Sequence, residues 1–526
     1  MNYLKCIIIF SIIIPSLNSA QNREIVAYLS GYRFSHNNYL IKDLEKKGLA
    51  NKLTVINYAF ARPDIDSLGN IFPAFNHYSA YLEFYSSEMS IDEIADDSNQ
   101  VLCGNFNQLL KLKRRYPKIR ILLSIGGWGG SKYFSDIALT PKSREKFVNA
   151  CINIFIKGDL PIDSGGGGRG SAENLFDGFD LDWEFPISDG PEGTHYNPND
   201  RQNHTALLAL FRKKMDEINP NLLLTAAVSA RSWEFWKYNF KEDQNYLDWF
   251  NVMTYDYHGS WEYISGHHTN LLSSSEDPDE RKESFDNTVK YLLDTVRVSS
   301  NKIVPGVAFY GKGWIDVDSV NGGLYQAGIP DTSRAQIRFK NYLDFSDVSN
   351  EGFQNYWDDF AMAGWLYNYS LKKFWTYDDI RSVALKARYV DAYNLRGLMF
   401  WEITGDDTSY NLINTIYNRN MPDFTNFIYN ANSVLPSIKI IKPKSTDKIL
   451  EGSNVIIKTN VDDTDGCIIK VEFLIDGNSL GYNRITPFCW VWFNALPGEH
   501  QVTVTATDNN GNTTSSLPIK INVIKK

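Results

Sequence analysis

Residues 177–186 read DGFDLDWEFP, and this stretch decides the expected fold. Successive side chains of a β-strand point to opposite faces, so Asp180, Asp182 and Glu184 share one face. Phenylalanine, leucine and tryptophan alternate with these acids and share the other face. Three carboxyl groups on one buried face desolvate and repel one another, so at least one is expected to hold a proton near neutral pH. An exposed edge strand with solvated acids is disfavoured, because large apolar residues alternate with them.

Short apolar runs alternate with amphipathic stretches on both sides of this strand, from residue 24 to about residue 403. Eight runs predict strands, at 25–29, 53–60, 119–125, 178–184, 222–229, 251–255, 304–309 and 398–401. The clearest helices are predicted at 105–116, 141–157, 201–218, 284–296 and 377–394. Eight strands alternating with helices favour an α/β fold, a (β/α)8 TIM barrel. An open doubly wound sheet is the alternative, but no GxGxxG fingerprint follows the first strand.

Two further regions interrupt or follow the barrel pattern. Residues 313–374 are too long for a βα loop and predict an α+β insertion after strand 7, on the rim where barrel active sites lie. From residue 437 short alternating strands are separated by Asp-Gly, Pro-Gly and Asn-Gly turns, which predicts an all-β immunoglobulin-like sandwich. The expected domains are therefore a signal peptide at 1–20, a barrel at 21–420, a linker at 421–436 and a sandwich at 437–526.

The first twenty residues, MNYLKCIIIFSIIIPSLNSA, follow the plan of a secretory signal peptide. Lys5 precedes an apolar run, and small residues lead to Ala20. No apolar stretch reaches the ~18 residues of a membrane-spanning helix. We therefore expect a secreted protein, extracellular or periplasmic, with no membrane span.

Composition narrows the class of partner. The net charge of −9 argues against nucleic acid or an anionic membrane as the main partner. Aromatic residues make up 14% of the chain, which suits either a large core or a surface that stacks on sugar rings. The cysteines lack the spacing of metal ligands, so no metal and no other cofactor is predicted.

Five motifs, in chain order and on successive predicted strands, resemble those of glycoside hydrolase family 18, the chitinase family. They are SIGGW (124–128), DGFDLDWEFP (177–186), MTYDYHG (253–259), GVAFYG (306–311) and the pair WTYDD (375–379) with GLMFWEITGDD (397–407). A lone DxDxE would be weak evidence, whereas five ordered motifs are strong. The segment 313–374 resembles the insertion of deeper-grooved chitinases, and the C-terminal region resembles bacterial immunoglobulin-like modules of secreted glycosidases.

The resemblance implies a retaining, substrate-assisted hydrolase without an enzymic nucleophile. Glu184 would protonate the glycosidic oxygen, and the acetamido oxygen of the sugar would attack the anomeric carbon to give an oxazolinium ion. Asp182 would orient the acetamido N–H, and Asp180 would hold or share its proton. Tyr255 would donate a hydrogen bond to the acetamido carbonyl.

The resemblance also implies a substrate-binding set around these catalytic residues. Trp401 would form the floor of the sugar subsite by stacking. The other expected substrate-binding residues are Asp256, Met253, Tyr32, Gly127, Trp128 and Phe60. Ser124 and Asp177 are expected to support the acidic cluster. Non-proline cis peptide bonds are expected at Trp401–Glu402, Glu184–Phe185 and Ala59–Phe60.

The function expected from the sequence is a secreted, monomeric chitinase that cuts β-1,4 bonds between N-acetylglucosamine units of chitin or chitooligosaccharides. An endo-β-N-acetylglucosaminidase that acts on N-glycans is the first alternative. A non-catalytic chitin-binding, lectin-like protein is the second, and it is disfavoured because such proteins typically lose the terminal acid that Glu184 supplies here.

Overall fold

The computed structural model describes residues 23–31, 39–97, 99–188, 190–332, 337–338, 351–421, 434–464 and 466–526. The expected signal peptide (1–20) and most of the expected linker (421–436) lie outside these residues.

Eight parallel strands close into a barrel in which each strand pairs with its neighbours in the chain and the last pairs with the first. They are β1 (Glu24–Ser30), β2 (Val55–Ile65), β3 (Arg120–Gly126), β4 (Gly178–Asp182), β5 (Leu223–Ser229), β6 (Trp249–Met253), β7 (Ile303–Ala308) and β8 (Gly397–Trp401). The predicted TIM barrel is therefore confirmed. Ile71–Ala74 pairs antiparallel with the end of β2, and Leu160–Asp163 forms a small hairpin with Gly166–Gly168.

Helices connect the strands on the outside of the barrel. The α-helices span Gly104–Arg115, Phe134–Ala138, Pro141–Cys151, Asp200–Asp216, Phe240–Asp243, Phe285–Lys290, Ile380–Ala392 and Asn411–Asn418. Shorter 3₁₀ segments span Ile41–Asn51, Ser232–Lys237, Ser300–Lys302, Val320–Gly323 and Ile403–Gly405, and π-helical turns span Tyr78–Leu82, Ile152–Ile156 and Tyr291–Val296. None of the helices in the described part of the chain has the length and apolarity needed to cross a membrane.

The alternation in β4 orients the strand as its sequence predicts. Phe179 and Leu181 are buried against the helices, and Trp183 stacks on Phe134 with ring centroids 5.2 Å apart. Each such side chain contributes about 1.5–3 kcal/mol by burial, which holds the acidic face toward the barrel interior. The strand ends at Asp182, two residues before its predicted end, so Glu184 lies just beyond the strand.

The insertion after β7 contains an antiparallel sheet. Its strands are Tyr310–Ile315, Ile329–Pro330, Ile337–Arg338, Gln354–Asp358, Ala363–Asn368 and Lys373–Tyr377. Trp314, Trp365, Tyr367 and Phe374 form its buried core. Because its first strand starts two residues after β7, this sheet lies at the carboxyl end of the barrel.

The C-terminal region forms two antiparallel-rich sheets, as expected for an immunoglobulin-like sandwich. One contains Ser437–Lys442, Val455–Asp462 and Cys489–Trp492; the other contains Ile449–Leu450, Ile468–Ile475, Asn478–Asn483, Gly498–Asp508, Thr513–Ser515 and Ile519–Ile524. The sandwich contacts the barrel and the insertion. On the barrel side, Arg381 donates to the Thr486 carbonyl and Tyr389 packs on Phe493. On the insertion side, Asp359 pairs with Lys458 of the sandwich at 3.0 Å.

Among the described residues three non-proline peptide bonds are cis, at Ala59–Phe60, Glu184–Phe185 and Trp401–Glu402. These are the three positions that the family resemblance implied. They lie in β2, after β4 and at the end of β8.

Candidate active site

A cavity of about 700 Å³ opens at the carboxyl ends of the strands. Its walls are formed by residues that end β4, β6 and β8 and by the first strand of the insertion. Carboxyl ends of barrel strands are where active sites of this fold lie. The acidic residues of β4 lie at this end of the barrel.

Asp180 is the most deeply buried acid of the cluster, and its carboxyl group accepts four hydrogen bonds. One oxygen accepts from Tyr28 Oη at 2.8 Å and Ser124 Oγ at 2.7 Å. The other accepts from Thr225 Oγ1 at 2.6 Å and Asn251 Nδ2 at 2.9 Å. Burial raises the pKa of Asp180, although these four donors work in the opposite direction.

Asp182 lies one step farther along the same face, and its carboxyl lines the cavity. Its side chain is buried, and Oδ1 has no hydrogen-bond partner among the residues that the structure describes. Burial, followed by the charges of Glu184 and Asp180, raises the pKa of Asp182 well above its ordinary value. A buried oxygen without a partner is costly, so this atom is suited to accept a hydrogen bond from a ligand.

Glu184 follows at the mouth of the cavity, where it is half-buried. Burial, followed by the negative charges of Asp256 and Glu234, raises the pKa of Glu184 to about 8, although Arg231 opposes the shift. Glu184 therefore carries a proton at neutral pH, as a general acid must.

The glycines of SIGGW allow the loop after β3 to pass close to the end of β4. The amide of Gly127 donates to the Asp182 carbonyl at 2.8 Å. Ser131 Oγ accepts from the amide of Glu184 at 2.9 Å and donates to the Asp182 carbonyl at 3.2 Å. Gly126 has φ +117°, and a Cβ on it would lie 2.1 Å from the Asp182 carbonyl oxygen. This loop thus anchors the backbone that carries both acids.

Tyr255 faces the acids from the segment after β6. Its hydroxyl lies 3.8 Å from Met399 Sδ, and its ring packs edge-on against Tyr310. A Cβ on Gly306 would come within 2.8 Å of the Tyr255 ring, so the glycine provides room for it. Burial, then the charge of Asp182, raises the pKa of Tyr255 well above its ordinary value. The phenol therefore remains a hydrogen-bond donor.

Asp256 is the ionised carboxylate of the site. Its Oδ1 accepts from Tyr310 Oη at 2.8 Å and lies 3.3 Å from Lys312 Nζ and 3.5 Å from His268 Nδ1. Although burial works in the opposite direction, the Lys312 charge, the proximity of His268 and the hydrogen bond from Tyr310 lower the pKa of Asp256. Asp256 and Glu184 thus have carboxyl pKa values shifted in opposite directions.

Trp401, at the end of β8, forms an aromatic floor. Its ring stacks on Phe60 with centroids 5.5 Å apart and an interplanar angle of 19°, and Tyr28 packs against it at 5.6 Å. Met253 packs against the same apolar cluster. The floor is flat and apolar, while the acids and Tyr255 line the polar part of the cavity.

The structure brings most of the predicted site residues together. Those that line the cavity are Phe60, Trp128, Asp182, Glu184, Met253, Tyr255, Asp256 and Trp401. Ser124 and Asp180 lie beneath them, and Tyr32 is outside the described residues.

Two predicted residues lie elsewhere. Gly127 is not part of the cavity wall; it packs beneath Phe60, where a Cβ would lie 2.7 Å from the ring. Asp177 precedes β4 and is therefore at the opposite end of the barrel, where it pairs with Lys113 at 2.7 Å and accepts from the Ile121 amide. Its role as a support for the acidic cluster is wrong, because one strand length separates it from the mouth.

Sequence reasoning missed part of the cavity wall, namely Tyr28, Arg231, Trp261, Tyr310 and Lys312. Tyr310 stands inside the GVAFYG motif, and Trp261 follows MTYDYHG by two residues. Their closeness to the motifs could have marked both as candidate site residues. Arg231 and Lys312 stand outside the quoted motifs, and only the closure of the barrel brings them to Asp256. Within the described residues no group of three His, Cys, Asp or Glu side chains is arranged to hold a metal ion.

The family is shown by comparison with known proteins. Residues 24–406 match the model of glycosyl hydrolases family 18, and residues 436–515 match that of a bacterial Ig domain. The chain therefore belongs to glycosyl hydrolases family 18.

Named relatives and a solved structure agree with that assignment. The chain is 31% identical to chitinase A1 of Niallia circulans, over 77% of this chain and 60% of the relative. It is 30% identical to chitinase C of Streptomyces lividans, over 72% of this chain and 57% of the relative. The catalytic domain of psychrophilic chitinase B from Arthrobacter TAD20 superposes with a TM-score of 0.68 at 29% identity, covering 76% of this chain and 95% of that one. The chain thus spans about three fifths of the length of these two curated relatives.

Proposed function

We propose that the protein is a chitinase that hydrolyses β-1,4 bonds between N-acetylglucosamine units with retention of anomeric configuration. One observation carries the proposal. Three groups border one cavity whose floor is Trp401. They are the protonated Glu184, Asp182 with an oxygen that no described residue partners, and the Tyr255 hydroxyl. Substrate-assisted hydrolysis requires an acid, a carboxylate for the acetamido group and a hydroxyl donor around a single sugar ring.

In the first step Glu184 gives its proton to the glycosidic oxygen, and the bond from that oxygen to the anomeric carbon breaks. The acetamido oxygen of the same sugar bonds to the anomeric carbon, which yields an oxazolinium ion. The pKa of Glu184, raised to about 8, supplies the proton at neutral pH.

The acetamido group needs two partners while it attacks. Asp182 Oδ1, for which the described residues offer no hydrogen-bond partner, accepts the acetamido N–H. When Asp180 holds the proton that the two acids share, the Asp182 carboxylate stabilises the positive charge that develops on the ring. The Tyr255 hydroxyl donates to the acetamido oxygen and orients it toward the anomeric carbon. Asp180 supports Asp182 from below, fixed by its four donors.

In the second step a water molecule attacks the anomeric carbon, and the acetamido oxygen leaves it. Glu184, now ionised, accepts the proton of that water and returns to its starting state. Both steps invert the anomeric carbon, so the product retains the configuration of the substrate.

The test is product analysis with the full chain on defined chitooligosaccharides and on an N-glycoprotein. We expect cleavage of chitooligosaccharides to products that are initially β-anomers, and loss of hydrolysis with retained oligosaccharide binding in Glu184→Gln. The matched control is Glu242→Gln, which removes an exposed carboxylate of the helix Phe240–Asp243. Products of inverted configuration would contradict the mechanism, as would equal activity on substrates without the acetamido group.

The same product analysis distinguishes the chitinase from the two alternative functions. Cleavage of the N-glycoprotein with intact chitooligosaccharides would identify an endo-β-N-acetylglucosaminidase. Binding of chitooligosaccharides without turnover by the unaltered protein would identify a lectin-like protein.

We further propose that the protein is exported and acts as a monomer. Export is supported by the sequence of residues 1–20, and N-terminal sequencing of the protein recovered outside the cytoplasm tests it. Light scattering of the purified protein tests the monomer.

A further inference from the structure

The 3₁₀ segment Ser232–Lys237, which follows β5, carries a buried ion pair that the proposed mechanism does not use. Glu234 is 3% exposed and Lys237 is 4% exposed. Lys237 Nζ lies 3.2 Å from Glu234 Oε1. Burying two charges costs free energy that their attraction often fails to recover, so such a pair is weak evidence for stability. The pair therefore invites a functional explanation.

The ion pair is tied to the loop that carries Glu184. Lys237 Nζ donates to Ser188 Oγ at 2.9 Å and lies 5.4 Å from the ring centroid of Phe185. Phe185 directly follows Glu184 and lines the cavity with it. The segment after β5 thus braces the segment after β4 at the position of the acid.

Only one of the two oxygens of the Glu234 carboxylate has a hydrogen-bond partner among the described residues. Its Oε2 is buried and, in the described part of the chain, has no hydrogen-bond partner, whereas Oε1 pairs with Lys237. Its remaining negative charge acts on Glu184 and, together with burial and Asp256, favours the protonated acid. A like charge nearby disfavours ionisation of a carboxyl group.

Other charged and titratable groups face Glu184 from each neighbouring element. They are Asp180 and Asp182 from β4, Arg231 and Tyr238 from the segment after β5, Tyr255 and Asp256 from the segment after β6, and Tyr310 and Lys312 from the insertion. Arg231 opposes protonation of Glu184. Asp256 and Glu234 each have a lysine partner, Lys312 and Lys237, and Lys237 also links Glu234 to the Glu184 loop through Ser188.

We propose that Glu234 is a positioning residue of the active site: its buried carboxylate, held by Lys237, keeps Glu184 protonated and braces the loop that carries it. This inference rests on the proposed role of Glu184 as the general acid. Glu234 does not line the cavity, so its contribution passes through Glu184.

The test compares pH profiles of kcat/KM on a chitooligosaccharide. Glu234→Gln removes the like charge, so Glu184 releases its proton at lower pH. We expect the basic limb of the kcat/KM profile to shift by about one unit toward lower pH. At pH values above the limb, kcat/KM of the variant should then be about tenfold lower than that of the unaltered protein. Glu234→Asp keeps the charge and should keep the limb, even if kcat falls. The matched control Glu242→Gln, on an exposed neighbour, should leave the profile unchanged.

A paired substitution protects the test against misfolding. Glu234→Gln with Lys237→Met removes both charges at nearly constant volume, and it should return the limb toward that of the unaltered protein. A limb that stays in place in a folded Glu234→Gln variant would overturn the inference, as would an equal shift in Glu234→Asp.

An infrared titration of the protonated carboxyl band, assigned by its loss in Glu184→Gln, measures the same proton without turnover. If the unaltered protein lacks hydrolysis, the proposed function fails, and this titration still decides the inference. A lower midpoint in Glu234→Gln supports it, and an unchanged midpoint overturns it.

Discussion

The tryptophans at the cavity and those on one strand of the C-terminal sandwich have opposite environments. Trp128 and Trp261 border the cavity with 59% and 50% of their surface exposed, and Trp401 forms its floor. Trp490 and Trp492 are buried in the sandwich, at 0% and 7%. The same residue type therefore forms a candidate sugar-binding surface at the cavity and part of a packed core in the sandwich, as Trp183 and Trp249 also do inside the barrel domain.

The polar atom of Trp490 shows why its role is structural. Its indole N–H donates to the Leu480 carbonyl at 3.2 Å, and its ring stacks on Phe473 at 6.0 Å. A Cβ on Gly481 would lie 2.6 Å from the Trp490 ring, so the neighbouring strand has a glycine where the indole needs space. Both the ring and the donor are used within the domain, which leaves this tryptophan no surface for a polysaccharide.

The largest expected effect is on the stability of the sandwich. Trp490→Ala should lower its free energy of unfolding by about 3–5 kcal/mol, because it deletes a large buried side chain. Chemical denaturation of the full chain, followed by circular dichroism, measures this. Trp128→Ala is the matched control and should change stability by less than about 0.5 kcal/mol. Equal losses in the two variants would abolish the contrast between the domains.

The second contrast is between two acids at opposite ends of β4, Asp182 at its carboxyl end and Asp177 just before its first residue. Asp182→Asn should lower kcat about a hundred- to a thousand-fold, the usual cost of one transition-state hydrogen-bonding group. Asp177→Asn, at the opposite end, should keep kcat and instead lower the melting temperature, since it breaks the Lys113 pair. Steady-state kinetics and thermal melting on both variants provide the comparison. A similar kcat in both would show that the cavity is not the site of chemistry.

The contact between the domains should have a smaller effect. Arg381→Met removes the donors to the Thr486 and Pro487 carbonyls of the sandwich, and we expect it to weaken domain docking by about 1.5 kcal/mol. Limited proteolysis of the interdomain segment should then be faster, with kcat unchanged. The control Lys439→Met alters an exposed cation of the sandwich and should leave the cleavage rate as it is.

The smallest expected effect is the change in kcat/KM for each pH unit. The folded-state pKa of Glu184 is raised to about 8, so the acid is protonated below that value and loses its proton as pH rises through it. We expect kcat/KM to fall about tenfold per unit above about pH 8. A pH profile on a neutral chitooligosaccharide measures the limb. A limb near the ordinary carboxyl value would contradict the environment described for Glu184.

Local alternation is the reason so much of the site was predictable. The period of two in residues 177–186 places Asp180 and Asp182 on one face and buries Phe179 and Leu181 on the other, whatever surrounds the strand. The count of eight βα units then places the end of each strand at one mouth. The barrel, the acidic face and the five ordered motifs therefore follow from the amino-acid sequence by itself.

Contacts between distant segments were decided by the tertiary structure alone. The four donors to Asp180 come from four different strands, and the Glu234–Lys237 pair meets the Glu184 loop only when β4 and β5 are neighbours. Asp177 belongs to the same motif as Glu184 yet lies at the other end of the barrel. Burial and charge are sums over all neighbours in space, so whether a tryptophan binds or packs, or a carboxyl keeps its proton, is settled by the closed fold.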